Sequence, residues 1–81
     1  MNIIYSGKAI SAIERMDKAT KQRIRQGILK LPKGDVKLLH GRKVSTYRLR
    51  IGGWRILFSY HTEDTIQIEK IAPRGQAYKG G

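Results

Sequence analysis

Apolar and polar side chains alternate on both sides of a Gly-Gly pair in the stretch YRLRIGGWRILFSY, residues 47–60. This two-residue period predicts two β-strands, over 46–51 and 54–60, because successive side chains of a strand point to opposite faces of a sheet. Gly52 and Gly53 predict a tight turn between them, since glycine adopts positive φ without a steric penalty. Any fold of this chain must therefore accommodate an antiparallel hairpin with one apolar face.

Arginines occupy the polar positions of this hairpin. If the apolar side chains face a core, then Arg48, Arg50 and Arg55 all point to the opposite face of the sheet. A register shift of one residue would bury these cations among apolar groups, and a small core cannot compensate for that. No acidic residue occurs between Asp35 and Glu63. We therefore expect the arginines to converge, without an acidic partner, on the open face of the sheet.

The N-terminal half has a helical period instead. Residues 2–5 are short, apolar and β-branched, and they predict a first strand. Apolar residues at helical spacing then predict two amphipathic helices over 7–16 and 18–31, with Ser6 and Asp17 as candidate N-caps. The remaining predicted elements are a turn at 31–35, a strand at 36–39, a loop to 45, a turn at 61–64 and a last strand at 65–69.

The predicted order of elements is β-α-α-β-β-β-β, which is typical of an α+β fold with two layers. Consecutive hairpins produce a mostly antiparallel sheet, and the helical hairpin packs on one of its faces. With 81 residues, the chain predicts a single domain over 1–81.

The charge is strongly unbalanced. Seventeen Lys and Arg face six Asp and Glu, which gives a formal net charge of +11. Such a balance favours polyanionic partners such as RNA, DNA, the ribosome or an acidic protein, although a generic basic surface would also produce it. The acid-free stretch contains further basic residues at Lys37, Arg42 and Lys43.

Several classes of protein are disfavoured by what the sequence lacks. There is no cysteine, and His40 and His61 are the only histidines, so neither disulfides nor a metal site are expected. No apolar run approaches the roughly 18 residues of a spanning helix, and the N-terminus does not resemble a signal peptide. We therefore expect a cytoplasmic protein without a membrane partner.

The arginines favour phosphate chemistry. The planar, permanently charged fork of arginine matches phosphate oxygens and stabilises charge that develops on a scissile phosphate. In APRGQAYK, residues 72–79, Arg74 precedes Tyr78, whose ring is suited to stacking on a single-stranded base. These are the components of a metal-free ribonuclease. The same arginines are equally compatible with binding phosphates or a partner without any reaction.

The same residues carry a family resemblance. The segments GDVKLLHGRKVSTYRLRIGGWRILFSY and IQIEKIAPRGQAYK resemble the RelE/ParE toxin superfamily of bacterial toxin–antitoxin modules. The superfamily pattern has an L-x-G element, a Y-R-L-R-x-G strand, an aromatic-Arg-hydrophobic strand and a last strand ending in R-G-x-x-Y. The matching positions are Leu39, Gly41, Tyr47, Arg48, Arg50, Gly52, Arg55, Arg74 and Tyr78. The resemblance covers essentially the whole chain and favours the RelE branch.

The resemblance implies a microbial-ribonuclease-like fold and, in the RelE branch, an endoribonuclease that needs no cofactor. Such a toxin cleaves mRNA in the ribosomal decoding site: the ribose 2′-hydroxyl attacks the adjacent phosphate and leaves a cyclic phosphate and a 5′-hydroxyl. The implied partners are a cognate antitoxin, the 70S ribosome with its mRNA, and operator DNA bound through the antitoxin.

The resemblance also implies site residues. Arg48 and Arg50 match the basic pair of the first catalytic strand, and Arg55 matches the arginine of the next strand. Tyr78 matches the C-terminal aromatic that contacts the base, and Arg74 matches the C-terminal basic position. We expect these five residues to be catalytic. The expected additional contacts to RNA are Lys37, Arg42, Lys43, Tyr47 and Lys79.

The family pattern departs from this sequence in one respect. RelE-type enzymes often have lysines where Arg48 and Arg50 stand. Arginine keeps its proton, with a pKa above about 12, so these side chains are suited to stabilising charge and not to moving a proton. Tyr78, Tyr47 or ribosomal RNA is left for that task. Two alternatives stay open: a ParE-like toxin that inhibits DNA gyrase by binding, and an inactive relative that only binds its antitoxin.

Overall fold

The structure is a computed structural model that describes residues 1–73, and its fold is the predicted α+β arrangement. The elements are β1 (Asn2–Tyr5), α1 (Gly7–Glu14), α2 (Lys18–Leu29), β2 (Asp35–Leu39), β3 (Thr46–Ile51), β4 (Trp54–Thr62) and β5 (Thr65–Pro73). The sheet has the order β1-β5-β4-β3-β2. β1 pairs in parallel with β5, and every other pair is antiparallel.

The core lies between the two helices and one face of the sheet, and it confirms the predicted alternation. Leu49 of β3 pairs with Ile56 of β4, and both side chains are buried. Buried residues of both helices, of three strands and of the turn after α2 form one cluster: Ala9, Ile24, Ile28, Leu31, Leu49, Ile56, Phe58, Ile66, Ile68 and Ile71. Burial of these apolar side chains, at about 25 cal/mol per Å², is what holds the helices to the sheet.

Both helices are shorter than predicted by two residues at the C-terminal end. α1 ends at Glu14 and α2 at Leu29. The pattern extended α2 to Leu31 because that residue is apolar and in phase, and it is indeed buried. Leu31 precedes Pro32, however, and the residue before a proline is disfavoured in the helical conformation. The chain therefore leaves the helix while Leu31 still packs in the core.

Ser6 is the N-cap of α1, as predicted, and it also attaches this helix to the sheet. Its hydroxyl oxygen accepts a hydrogen bond from the Ala9 N–H at 3.1 Å, and the hydroxyl donates to the Glu69 carbonyl of β5 at 2.7 Å. Asp17 occupies the predicted N-cap position of α2. Neither helix, of eight and twelve residues, is long and apolar enough to cross a bilayer.

The strands extend beyond their predicted limits. β4 continues to Thr62, which pairs with Thr65 and reduces the predicted turn 61–64 to two residues. β5 continues to Pro73, and β2 begins one residue early at Asp35. The added residues of β2 and β4 are polar and are held by backbone hydrogen bonds to the neighbouring strand, whereas the extension of β5 also buries Ile71 and Ala72. A register shift at Leu57/Phe58 leaves one extra residue on β5, opposite β4.

Gly27 allows α2 to approach β3 closely. A Cβ at this position would collide with the Ile51 side chain, whereas a Cβ on Gly7 of α1 would meet no atom within 4 Å. Packing against a neighbouring side chain therefore favours glycine at position 27 but not at position 7, and Gly7 is a matched control.

We expect Gly27→Ala to be neutral or destabilising although alanine favours helices by about 1 kcal/mol, because overpacking costs about 1–3 kcal/mol. Gly7→Ala should be neutral or stabilising. Adding Ile51→Val, which removes the colliding methyl, should recover about 1 kcal/mol of the Gly27→Ala loss. Urea unfolding measures all four proteins, and a Gly27→Ala protein more stable than Gly7→Ala would contradict the packing argument.

Candidate phosphate-binding site

The register of the sheet brings the predicted arginines together. Arg50 of β3 pairs directly with Arg55 of β4, and Arg48 pairs with Leu57. These residues alternate with Leu49 and Ile56, whose side chains face the helices. Arg48, Arg50 and Arg55 therefore share the sheet surface that is opposite the helices, which we call the arginine face.

The expectation that the arginines lack an acidic partner is wrong. Asp35, the first residue of β2, stands directly opposite Arg50 in the register. Arg50 Nε donates to Asp35 Oδ2 at 2.7 Å, and Arg48 Nη2 donates to Asp35 Oδ1 at 3.3 Å. One carboxylate thus bridges two guanidinium groups on the adjacent strand.

Sequence reasoning missed Asp35 because the residue was assigned to the turn that ends α2. The signal that identifies it is the register of the β2–β3 hairpin, where Leu39 pairs with Thr46 and the pairing continues back to Asp35 and Arg50. That register depends on where the connecting loop begins and ends. An irregular loop of this kind has no sequence signature, unlike a two-residue glycine turn.

Arg55 has a different environment from the other two arginines. It is 7% exposed, and within residues 1–73 no carboxylate oxygen lies within 4 Å of it. Its Nη1 donates to the carbonyls of Gly52 and Trp54 at 3.4 and 3.3 Å. Burying a charge without a paired carboxylate is unfavourable for stability. Arg55 is therefore a candidate for pairing with an anionic ligand.

Arg48 has a buried hydrogen-bond donor that is not satisfied within residues 1–73. Its side chain is 14% exposed, and its Nε is buried without a hydrogen-bond partner within the described part of the chain. An unsatisfied buried donor is destabilising by about 1–3 kcal/mol. Native proteins keep few such groups without a partner.

The arginine face is not a uniformly charged surface. Leu57 and Ala72, both buried, form a small second apolar cluster, and Leu39 of β2 packs against it. Ala72 stands directly opposite Arg55 on β5. This apolar surround lowers the local dielectric, which strengthens the attraction between a buried cation and an anionic ligand.

The other predicted contacts to RNA are distributed unevenly. Lys37 pairs with Arg48 across β2 and β3, so it belongs to the arginine face. Arg42 and Lys43 lie in the loop between β2 and β3. Three predicted site residues, Arg74, Tyr78 and Lys79, lie outside the described residues.

Tyr47 is not brought to the arginine face. Its ring stacks on Phe58 at a centroid distance of 5.4 Å and contacts Tyr60 edge-on at 5.6 Å. Phe58 belongs to the main core, so these rings lie on the side of the sheet that faces the helices. Tyr60, which the pattern predicts to point inward, is 41% exposed and lies outside the core cluster.

Arg23 of α2 is a further cation near the hairpin turn, and sequence reasoning did not identify it. Its guanidinium lies against Gly52, where a Cβ would come within 2.5 Å of Arg23 Nη2. Gly52 has a φ of +58°, a backbone conformation that favours glycine at this position of the turn. Arg23 thus adds positive charge beside the turn that joins Arg50 to Arg55.

A second surface lies on the helical side of the molecule. A groove there is lined by Tyr5, Ile10, Ile13, Glu14, Lys21 and Arg25. Burial raises the pKa of the Tyr5 hydroxyl, and the positive charge of Arg25 partly lowers it. Ile10 is 47% exposed. The groove therefore combines an exposed apolar side chain with basic residues, a combination suited to an acidic amphipathic segment.

The chain is a small basic α+β protein, and comparison with solved structures shows that its fold occurs elsewhere. The chain is similar to a chain of the RelB–RelE antitoxin–toxin complex from Methanococcus jannaschii, with a TM-score of 0.71 and 20% sequence identity over 88% of this chain and 89% of that chain. No curated protein matches the sequence.

The family follows from the sequence itself. The family model of the ParE toxin of the type II toxin–antitoxin system parDE matches residues 3–78, nearly the whole chain. The chain therefore belongs to this toxin family, and its resemblance to the RelE/ParE superfamily is confirmed.

We expect Arg55→Met to leave the free energy of unfolding within about 1 kcal/mol of the wild-type value or to increase it, because replacing a buried charge by an apolar side chain is often stabilising. Within residues 1–73 Arg55 forms no salt bridge, so its substitution leaves no carboxylate unpaired. Urea unfolding measures the stability, and growth of cells that express the variant measures toxicity, which should fall. A loss of more than about 3 kcal/mol would instead assign Arg55 to the core.

Proposed function

We propose that this toxin is a metal-independent endoribonuclease that cleaves mRNA on the ribosome. The observation that carries the proposal is the position of Arg55. This side chain lies on the same face as Arg48 and Arg50, and it is buried with no carboxylate of residues 1–73 paired to it. Cations fixed in advance on a stiff sheet stabilise the charge of a phosphoryl transition state without reorganisation. A protein that only needed a basic surface would keep such groups hydrated.

In the proposed reaction the ribose 2′-oxygen attacks the adjacent phosphorus, and the bond from phosphorus to the 5′-oxygen breaks. The products are a 2′,3′-cyclic phosphate and a 5′-hydroxyl. The negative charge that develops on the non-bridging oxygens is stabilised by Arg48, Arg50 and Arg55. Arg74 would add a further cation, and Tyr78 would stack on the base next to the scissile bond.

Proton transfer requires a group other than these arginines, since a guanidinium does not release its proton near neutral pH. Tyr47 lies on the far side of the sheet and stacks on Phe58. This leaves Tyr78, or a group of the ribosomal RNA, to take the proton from the 2′-hydroxyl and to supply one to the 5′-oxygen. If a group of the ribosomal RNA moves the proton, the ribosome is required for the chemical step as well as for presenting the substrate.

We propose that an antitoxin encoded beside the toxin neutralises it in the cytoplasm and connects the complex to operator DNA. The structurally similar chain comes from an antitoxin–toxin complex. The basic groove of the helical side, with exposed Ile10, offers a site for an acidic amphipathic segment of such an antitoxin. The net charge of +11 supports attraction of an acidic partner over a long range.

A ParE-like inhibitor of DNA gyrase is the second candidate function. The match of the ParE family model to residues 3–78 favours it. In that case the toxin acts by binding, and the arginine face serves as a binding surface without any bond cleavage.

Addition of the protein to a translation extract separates the two functions. We expect ribosome-bound mRNA to be cut and free mRNA to survive, because the ribosome completes the site. Arg55→Met should abolish the cuts, alone or with Tyr78→Phe, whereas Glu63→Gln, a change in the exposed β4–β5 turn, should not. Intact mRNA together with inhibited gyrase supercoiling would replace the nuclease proposal by the gyrase one.

We expect Ile10→Glu to weaken binding of the protein encoded by the neighbouring reading frame at least tenfold, because the new charge repels an acidic segment and removes an apolar contact. Val44→Glu is the matched control: Val44 is also exposed, but lies in the β2–β3 loop. Copurification and calorimetry measure both variants. Equal effects of the two changes, or no copurifying protein, would count against the groove as the antitoxin site.

A further inference from the structure

We propose that Asp35 is a positioning residue of the phosphate site. Its carboxylate holds Arg48 and Arg50 toward β2, so that these two side chains and Arg55 present a preformed site to a phosphate group. The inference deepens the proposed nuclease function and depends on it for the identity of the phosphate as part of RNA.

Asp35 fixes the arginines without saturating them. It accepts one hydrogen bond from Arg50 Nε at 2.7 Å and one from Arg48 Nη2 at 3.3 Å. A guanidinium has several N–H donors, so each arginine keeps donors for a ligand after this contact. A bidentate pair with one arginine would have consumed the whole edge of that guanidinium.

The position of Asp35 in the register gives the contact a direction. Arg50 has Asp35 directly opposite on β2 and Arg55 directly opposite on β4. Like charges in directly opposed positions repel each other, and the carboxylate attracts Arg50 to the other side. The repulsion by Arg55 and the attraction by Asp35 therefore act on the Arg50 side chain in the same direction, toward β2. They draw the Arg50 side chain toward Asp35 and away from Arg55.

A contribution to stability does not explain the contact. Asp35 and Arg50 are about half exposed, with side-chain exposures of 45% and 51%, and ion pairs of this kind contribute little to folding. Arg48 is held with its Nε buried and without a partner. An arrangement that leaves a donor unsatisfied while fixing the guanidinium is suited to pre-organising a ligand site.

The proposal makes a prediction opposite to that of simple electrostatics. Removing a carboxylate from the arginine face increases its positive potential, so charge alone predicts tighter binding of an anion. If Asp35 positions the arginines, its removal lets both long side chains explore other rotamers, and ordering them again on binding weakens the affinity.

The test is a titration of the purified full-length toxin with inorganic phosphate at constant ionic strength, followed through the Nε–H signals of the arginines by NMR. Wild-type toxin should show shifts of the Arg48 and Arg55 signals that fit one dissociation constant. Asp35→Asn should raise this constant at least threefold and should abolish the slow solvent exchange of the Arg50 Nε–H. Asp35→Glu, which retains the carboxylate, should restore most of the affinity.

Two controls separate positioning from charge and from folding. Glu63→Gln makes the same change in net charge in the exposed β4–β5 turn, and should leave the phosphate affinity unchanged. Asp35→Ser is a second neutral variant, with the amide spectrum reporting whether each protein is folded. An affinity that is equal or tighter in Asp35→Asn and Asp35→Ser, or absence of phosphate shifts at these arginines in wild-type toxin, would overturn the proposal.

The failure of this proposal is distinguishable from the failure of the nuclease function. If the phosphate titration gives the expected result while ribosome-bound mRNA remains intact, the positioning role stands and the nuclease function falls. If mRNA is cut by wild-type toxin and equally well by Asp35→Asn, the nuclease function stands and the positioning role falls.

Discussion

The pairing of β3 with β4 is the constraint on which the other features of this molecule depend. Residues directly opposite each other in this hairpin share a face of the sheet: Leu49 and Ile56 face the helices, whereas Arg50 and Arg55 lie on the opposite face. The apolar pairs bury against the helices, and burial of that face fixes the register, because a shift by one residue would exchange the two faces. The helical core and the arginine face are thus two results of one pairing pattern.

The arginine face contains two cations whose placement is unfavourable for folding, Arg48 and Arg55, and one carboxylate, that of Asp35, which partly neutralises the charge of this face. Arg55 is buried away from carboxylates of the described chain, and Arg48 retains an unsatisfied Nε. Asp35 neutralises part of this charge at the edge of the sheet, where both of its oxygens reach a guanidinium. The ten-residue core cluster between helices and sheet supplies the stability that permits this arrangement.

The sequence allowed prediction of those parts of the fold that local rules control. Alternation and the Gly52–Gly53 turn determined the central hairpin, and helical spacing with Ser6 as N-cap determined α1. The ends of elements depended on tertiary pairing, which is why β5 extends to Pro73. For the site, the common face of the arginines followed from the period. The contact of Asp35 did not, because it depends on the register across an irregular loop.

The burial of Arg55 also has an evolutionary consequence. Arg55 carries a charge but forms no salt bridge within residues 1–73. A single substitution to an apolar residue therefore removes the charge and leaves no carboxylate unpaired. Under the proposed nuclease function, a toxin gene selected against its own toxicity therefore has a short route to harmless variants that still fold. Such variants would keep the groove around Ile10 and, if this groove is the antitoxin site as proposed, would still bind antitoxin.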